Sequence, residues 1–477
     1  MVFSSLIFLF VFLPITVLCY FCSNTISAKN NALVVMSILF YAWGEPVYVL
    51  LMLFSAYINY YTGRMMGAHK DEPGMRKAWL ILCVIIDLGL LGFFKYSGWM
   101  VENINALTGL AIPVPQIALP IGISFFTFQT MTYTIDVYRG RVKVQRSYRD
   151  FLLYVSMFSQ LIAGPIVRYS EIEPQLTYRK TTMKGAFYGL TRFCIGLAKK
   201  VLIANYCGAT ADKILGGDLA QATVISAWLG VIMYTLQIYF DFGGYSDMAI
   251  GMGRIFGFKF SENFDLPYTS KSITEFWRRW HISLSSFFRD YVYIPLGGSR
   301  CSKARQTFNM FVVWSLTGLW HGSSWNFVFW GMYFFVLLFI EKSIKDVLEG
   351  IPDVLRHLST LFLVAIGWVL FYHTDMANVW KTLGCMFGLY GSGFSNTISG
   401  ITLLNNLPLL LLGIVAASSL PRSVGNIFKA LCMRKDSNAL AKRAYVVATG
   451  IMDLFLLALS VISLVGSSYN AFLYFRF

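Results

Sequence analysis

Residues 307–340 form an apolar run of 34 residues, interrupted near its middle by Leu316-Thr-Gly-Leu-Trp-His-Gly-Ser-Ser-Trp-Asn326. As one helix the run would be ~50 Å long, whereas about 20 residues cross a bilayer core. Gly318, Gly322 and the Ser323-Ser324 pair interrupt it, so the sequence predicts two shorter helices meeting at a break, with His321 at the junction. Backbone groups freed inside a membrane must be satisfied by protein or by a water-filled cavity. An ionisable side chain in such a place marks a functional site. A polar kink that merely buttresses a helix bundle would draw on the same residues.

Composition sets the class. With 56% hydrophobic and 17% aromatic residues and only 13% charged, the 477-residue chain is too apolar for a soluble domain and is expected to cross a membrane many times. The net charge of +15 does not point to nucleic acid. The Lys and Arg residues fall in short segments between apolar runs, where they set orientation. Arg139-Gly-Arg-Val-Lys-Val-Gln-Arg-Ser-Tyr-Arg149 carries five positive charges and no acid, and Arg64–Lys77 and Arg422–Arg443 are also basic. All three are expected to face the cytoplasm, which leaves the tail 466–477 on the outer side. Leu6–Phe21 lacks the basic start and small-residue cleavage site of a signal peptide and is read as a retained first helix. Roughly eleven to thirteen membrane segments are expected, forming one domain over 1–477.

Ser272-x-x-Glu275 has the pattern of a helix start, and the apolar spacing that follows predicts one amphipathic helix over 272–291 at the cytoplasmic interface. His281 falls on the edge of its apolar face. Asp241 and Asp247 lie in an apolar, glycine-rich stretch and need partners, with Arg254, Arg278 and Arg279 as candidates. The five histidines, His69, His281, His321, His357 and His373, include no pair at metal-ligand spacing. Cys19 and Cys22 lack the second pair that a zinc site requires, so no metal is expected. Neither Ser323 nor Ser324 sits in a nucleophile elbow.

Arg279-Trp-His-Ile-Ser-Leu-Ser285, Phe288-Arg-Asp-Tyr-Val-Tyr-Ile-Pro-Leu-Gly-Gly298 and Leu319-Trp-His-Gly-Ser-Ser-Trp325 resemble the membrane-bound O-acyltransferase family, closest to its branch of bacterial alginate O-acetyltransferases. Further likeness runs from Phe40-Tyr-Ala-Trp43 through Gln160-Leu-Ile-Ala-Gly-Pro-Ile-Val-Arg168 to the terminal Phe-Arg-Phe477. The resemblance implies an all-α multipass protein, a ring of tilted, broken and re-entrant helices around a central tunnel, in a bacterial inner membrane. It implies acetyl-CoA as a cytoplasmic donor co-substrate, with no bound cofactor, and a cell-surface polysaccharide as acceptor. An extracytoplasmic partner with a Ser-Asp-His esterase-like domain would receive the acyl group. His321 matches the catalytic histidine and His281 the second functional histidine. Trp320, Ser323, Ser324 and Asn326 beside the first, and Trp277, Arg278 and Arg279 beside the second, are then substrate-contacting candidates. The end Phe472-Leu-Tyr-Phe-Arg-Phe477 resembles a small partner peptide of teichoic-acid D-alanylation and makes Tyr474 a candidate acyl relay. A lipid or protein acyltransferase is the nearest alternative, and a transporter using the broken helix as its substrate site is the alternative from another class.

Overall fold

The computed structural model describes residues 1–162, 164–433, 439–467, 469 and 470. It is helical, with no strand among the described residues. The principal helices are α1 (Ile26–Gly44), α2 (Tyr48–Ala68), α3 (Pro73–Thr108), α4 (Ile123–Tyr138), α5 (Met183–Ala198), α6 (Asn205–Leu215), α7 (Val224–Ile255), α8 (Ile273–Arg279), α9 (Ile282–Phe288), α10 (Lys303–His321), α11 (Trp325–Ser343), α12 (Asp353–Tyr372), α13 (Thr397–Ala417), α14 (Leu420–Cys432) and α15 (Ala439–Gly466). Among the described residues six, α3, α7, α11, α12, α13 and α15, are long and apolar enough to cross a membrane. The eleven to thirteen segments expected include broken and re-entrant ones, and several apolar stretches do fold as shorter or interrupted helices. Residues 186–206, for example, divide into α5, a π-helical turn over Lys199–Ala204 and the start of α6.

The chain packs as two compact units, Met1–Phe193 with Met248–Ser261 and Cys194–Asp247 with Glu262–Phe477. In the first unit, polar side chains stitch apolar helices together. Asn59 of α2 donates to both Asp87 oxygens of α3 at 2.9 and 3.0 Å, and the Thr134 hydroxyl of α4 donates to Asn59 Oδ1 at 2.6 Å. Such satisfied contacts hold helices together where lipid offers no hydrophobic drive.

The second unit holds the interrupted run. α10 ends at His321, Gly322 and Ser324 are extended, and α11 begins at Trp325. The two helices then fold back on each other through glycine. A Cβ on Gly331 would lie 2.5 Å from the Trp314 carbonyl oxygen and 3.2 Å from the Gly318 Cα, so only bare backbones approach this closely. Asn326, fully buried, brackets the turn: Ser324 Oγ donates to its Oδ1, and its Nδ2 donates to the Leu370 carbonyl of α12 at 3.1 Å.

Two expectations are corrected in this unit. Residues 272–291 are not one interfacial helix: the helix stops after Arg279, turns at Trp280-His281 and restarts at Ile282. The cause is a neighbouring segment that takes its hydrogen bonds, since Asp265 N–H donates to the Arg279 carbonyl and Ile282 N–H donates to the Asn263 carbonyl, both at 3.0 Å. Phe276, Trp280 and His281 are consequently buried. The partners of Asp241 and Asp247 are lysines, not arginines. Lys200 meets Asp241 and Lys199 meets Asp247, each at 2.7 Å, because the π-helical turn directs two consecutive lysines toward α7.

Candidate active site

His321 is half-buried at the last position of α10. Three aromatic rings hold its imidazole edge to face: Trp320 at 4.9 Å, Trp330 at 4.9 Å and Phe371 at 5.1 Å between centroids. These rings belong to an aromatic core in which Trp277 lies 4.9 Å from Trp314 and 4.8 Å from Phe334, and Trp280 lies 4.9 Å from Trp368. Offset and T-shaped pairs of this kind contribute about 0.5–1.5 kcal/mol each beyond burial, so the cage is stiff. Ser323 and Ser324 sit half-buried in the break, and Ser324 precedes α11 without capping it through its side chain. Asn326 was expected to touch substrate, but both ends of its amide are engaged in the bracket described above.

His281 belongs to the same unit. It is 1% exposed, and its backbone lies in the left-handed region, φ 44°, ψ 53°. That conformation is rare outside glycine and costs of order 1–3 kcal/mol where surrounding structure enforces it. The ring packs at 4.7 Å on Phe242 and at 5.9 Å on Trp320. The Trp320 indole thus stands in contact with both histidines. Nδ1 of His281 lies 3.1 Å from Asn263 Oδ1, while its Nε2 is buried with no hydrogen-bond partner among the described residues. Burial pushes the His281 pKa down to about 3, since a low-dielectric surrounding disfavours the imidazolium.

A cavity of about 280 Å³ opens beside His281, bordered among others by Thr274, Trp277, Arg278, Ser285 and Thr317. The structure separates the two candidate arginines. Arg279 is engaged by Glu275 at 2.9 Å and Asp265 at 3.6 Å, whereas Arg278 is exposed at the cavity and makes no ion pair among the described residues. Trp277 borders the same cavity, and its indole nitrogen is buried without a hydrogen-bond partner among the described residues.

Tyr474 lies outside the described residues. The tail before it is pinned to the second unit: Tyr469 Oη donates to Asp212 Oδ2 at 2.7 Å, and Tyr372 Oη donates to Asp212 Oδ1 at 2.9 Å. Asn263 was missed by sequence reasoning. It lies in Ser261-Glu-Asn-Phe-Asp265, where no spacing or motif distinguishes it, and only the fold carries it to His281. The other three histidines are each hydrogen-bonded elsewhere: His69 to the Met65 carbonyl, His357 to the Ser270 carbonyl and His373 to the Thr382 hydroxyl.

Residues 125–377 match the family model of MBOAT, the membrane-bound O-acyltransferase family. Over its whole length the chain is 38% identical to the probable alginate O-acetylase AlgI of Azotobacter vinelandii, also covered in full. It is 32% identical to the peptidoglycan O-acetyltransferase of Helicobacter pylori, with 100% of this chain and 98% of that protein aligned. A teichoic acid D-alanyltransferase of Bacillus subtilis is 30% identical over 53% of this chain and 68% of its own.

Proposed function

We propose a reaction for this chain from the premise that it belongs to the membrane-bound O-acyltransferase family and is an O-acyltransferase embedded in a membrane. It moves an acetyl group from cytoplasmic acetyl-CoA to a hydroxyl of an extracytoplasmic polysaccharide, directly or through a partner protein. The observation that carries this reading is the pair of imidazoles flanking one indole, with a cavity at His281 and a helix break at His321. Two relatives named for O-acetylation of alginate and of peptidoglycan align along the whole chain and support a cell-surface polymer as acceptor, in a bacterial inner membrane.

In this mechanism the thioester arm occupies the cavity beside His281 and Trp277, and Arg278 at its edge attracts the donor's phosphates. An acceptor hydroxyl meets the thioester carbonyl at the break. Neutral His321 takes the hydroxyl proton as the oxygen attacks; the carbon–sulfur bond breaks, and the departing thiolate recovers that proton from the imidazolium. General base catalysis of this kind contributes about 10²–10⁴-fold. The Ser323 hydroxyl and the first-turn N–H groups of α11 serve as donors for the oxyanion, a contribution of roughly 3–4 kcal/mol per donor in measured cases, while the Ser324 hydroxyl is spent on Asn326. Tyr474 serves as a covalent relay on the outer side, receiving acetyl and passing it to the esterase-like partner, which divides one long transfer into two shorter ones. The Tyr469–Asp212 contact supports this by holding the preceding residues against the unit that contains His321.

The test is release of free CoA from acetyl-CoA by the purified full chain in lipid nanodiscs. His321→Ala should lower turnover by about 10²–10⁴-fold in a protein that still folds, melting somewhat lower because three ring contacts are lost. Wild-type turnover in that variant would remove His321 from the chemistry. A donor preference for long acyl chains over acetyl would replace polymer acetylation by lipid or protein acylation.

A further inference from the structure

Asn263 is fully buried, and its carboxamide can be oriented from its surroundings. The backbone N–H of Ser283, which can only donate, points at one end of that amide at 3.2 Å, and the Ser283 hydroxyl approaches the same atom at 2.9 Å. That atom is therefore the oxygen, because the reversed amide would set an NH₂ against an N–H. The other end, Nδ2, donates to Ser246 Oγ at 3.2 Å. Oδ1 also lies 3.1 Å from His281 Nδ1. The Ser283 hydroxyl is also 3.4 Å from Nδ1 but gives its one hydrogen to Oδ1 at the shorter 2.9 Å; two lone pairs facing at 3.1 Å would repel, so Nδ1 carries the hydrogen. In a neutral imidazole only one nitrogen is protonated, and which one is set by the bond the other makes. Nε2 is then left with a bare lone pair. It is buried, it has no hydrogen-bond partner among the described residues, and its ring borders the 280 Å³ cavity. Asn263 grips the backbone as well, since its carbonyl accepts from Ile282 N–H at 3.0 Å and so holds His281 in its left-handed conformation.

We propose that Asn263 is a positioning residue that locks His281 in the Nδ1–H tautomer, so that Nε2 presents an acceptor to the cavity and takes a hydrogen bond from an amide N–H of the donor's thiol arm. Neutral His281 in this state has no hydrogen to offer a carbonyl oxygen from Nε2. Oxyanion stabilisation therefore falls to the donors at the His321 break, and the two histidines divide the work: one orients the donor, the other moves the proton. An arm of the pantetheine type fits because it carries amide N–H groups along an otherwise apolar chain. The identity of this occupant rests on the donor proposed above; the tautomer does not.

The decisive experiment is nitrogen-15 NMR of the full chain in lipid bilayers with labelled histidine, the His281 signals being assigned by their loss in His281→Asn, a substitution that tolerates the left-handed backbone. One protonated Nδ1 and one unprotonated Nε2 at neutral pH are expected; an Nε2–H tautomer or an imidazolium overturns the proposal. Two variants at 263 then read the function. Asn263→Asp keeps an acceptor oxygen in place and should retain both the tautomer and the KM for acetyl-CoA within about threefold, whereas Asn263→Leu should lose the tautomer preference and raise KM about tenfold, the loss of roughly one hydrogen bond. Equal KM values in the two variants would overturn the role of Asn263. A wild-type chain that turns over no acetyl-CoA would refute the donor while the spectrum still decides the tautomer.

Discussion

A close backbone approach at the break makes a specific demand on Gly331. A methyl group there would begin 2.5 Å from the Trp314 carbonyl oxygen and 3.2 Å from the Gly318 Cα. Neither neighbour is a flexible side chain that can swing away, so relief requires the α10–α11 hairpin to part by about 1 Å to restore contact at roughly 3.5 Å. Overpacking of this kind costs about 1–3 kcal/mol, which a membrane-embedded bundle survives. Gly318 lies one turn before His321, so the shift is delivered to the imidazole. A misplacement of about 1 Å at a reacting group can cost on the order of 100-fold in rate. Gly331→Ala is therefore expected to melt only a few degrees lower in detergent yet release CoA about 100-fold more slowly. Gly450→Ala, on α15 with nothing within 4 Å of the added carbon, is the matched control and should leave turnover unchanged. Wild-type turnover in a folded Gly331→Ala protein would refute the view that glycine contact at the hairpin sets the position of His321.

Other outcomes follow from the same geometry. Lys200→Met removes the cation 2.7 Å from Asp241 in a site where both side chains are at most 3% exposed and should destabilise by about 3–5 kcal/mol, while Lys200→Met with Asp241→Leu should recover to within about 1 kcal/mol of the wild type in thermal melts. Arg278→Ala should raise KM for acetyl-CoA and flatten its salt dependence without changing kcat, because the residue is exposed, lines the cavity beside His281 and is assigned no part in proton transfer. Burial holds the His281 pKa at about 3 in the folded state, below the value of about 6.5 for an exposed histidine. Between those values the unfolded chain binds the extra proton, so stability falls as pH falls through this window; melting curves of His281→Asn should show a shallower loss there. Tyr474→Phe should abolish polymer acetylation while leaving the protein stable in membranes, and normal acetylation in that variant would favour direct transfer from CoA.

The sequence alone was enough for the membrane class and for the break at His321, because both depend on local quantities. An apolar run longer than a bilayer, interrupted by Gly322 and two serines, has few ways to fold, and the Leu319-Trp-His-Gly-Ser-Ser-Trp325 pattern carries the family likeness within it. The helix expected over 272–291 followed the same local logic and broke, because the competing hydrogen-bond partners at Asn263 and Asp265 come from outside the segment. Periodicity measures which face of a helix is apolar; it holds no information about a neighbour that takes the helix's own bonds. Asp241 and Asp247 announced a need for cations, and only the π-helical turn decided that Lys199 and Lys200 would meet it. The placement of two histidines 40 positions apart on either side of one indole, and the choice of Asn263 to orient one of them, belong wholly to the tertiary structure. Side chains distant along the chain meet only after the backbone between them has been folded, and a buried amide owes its role to the donors and acceptors that packing brings against it.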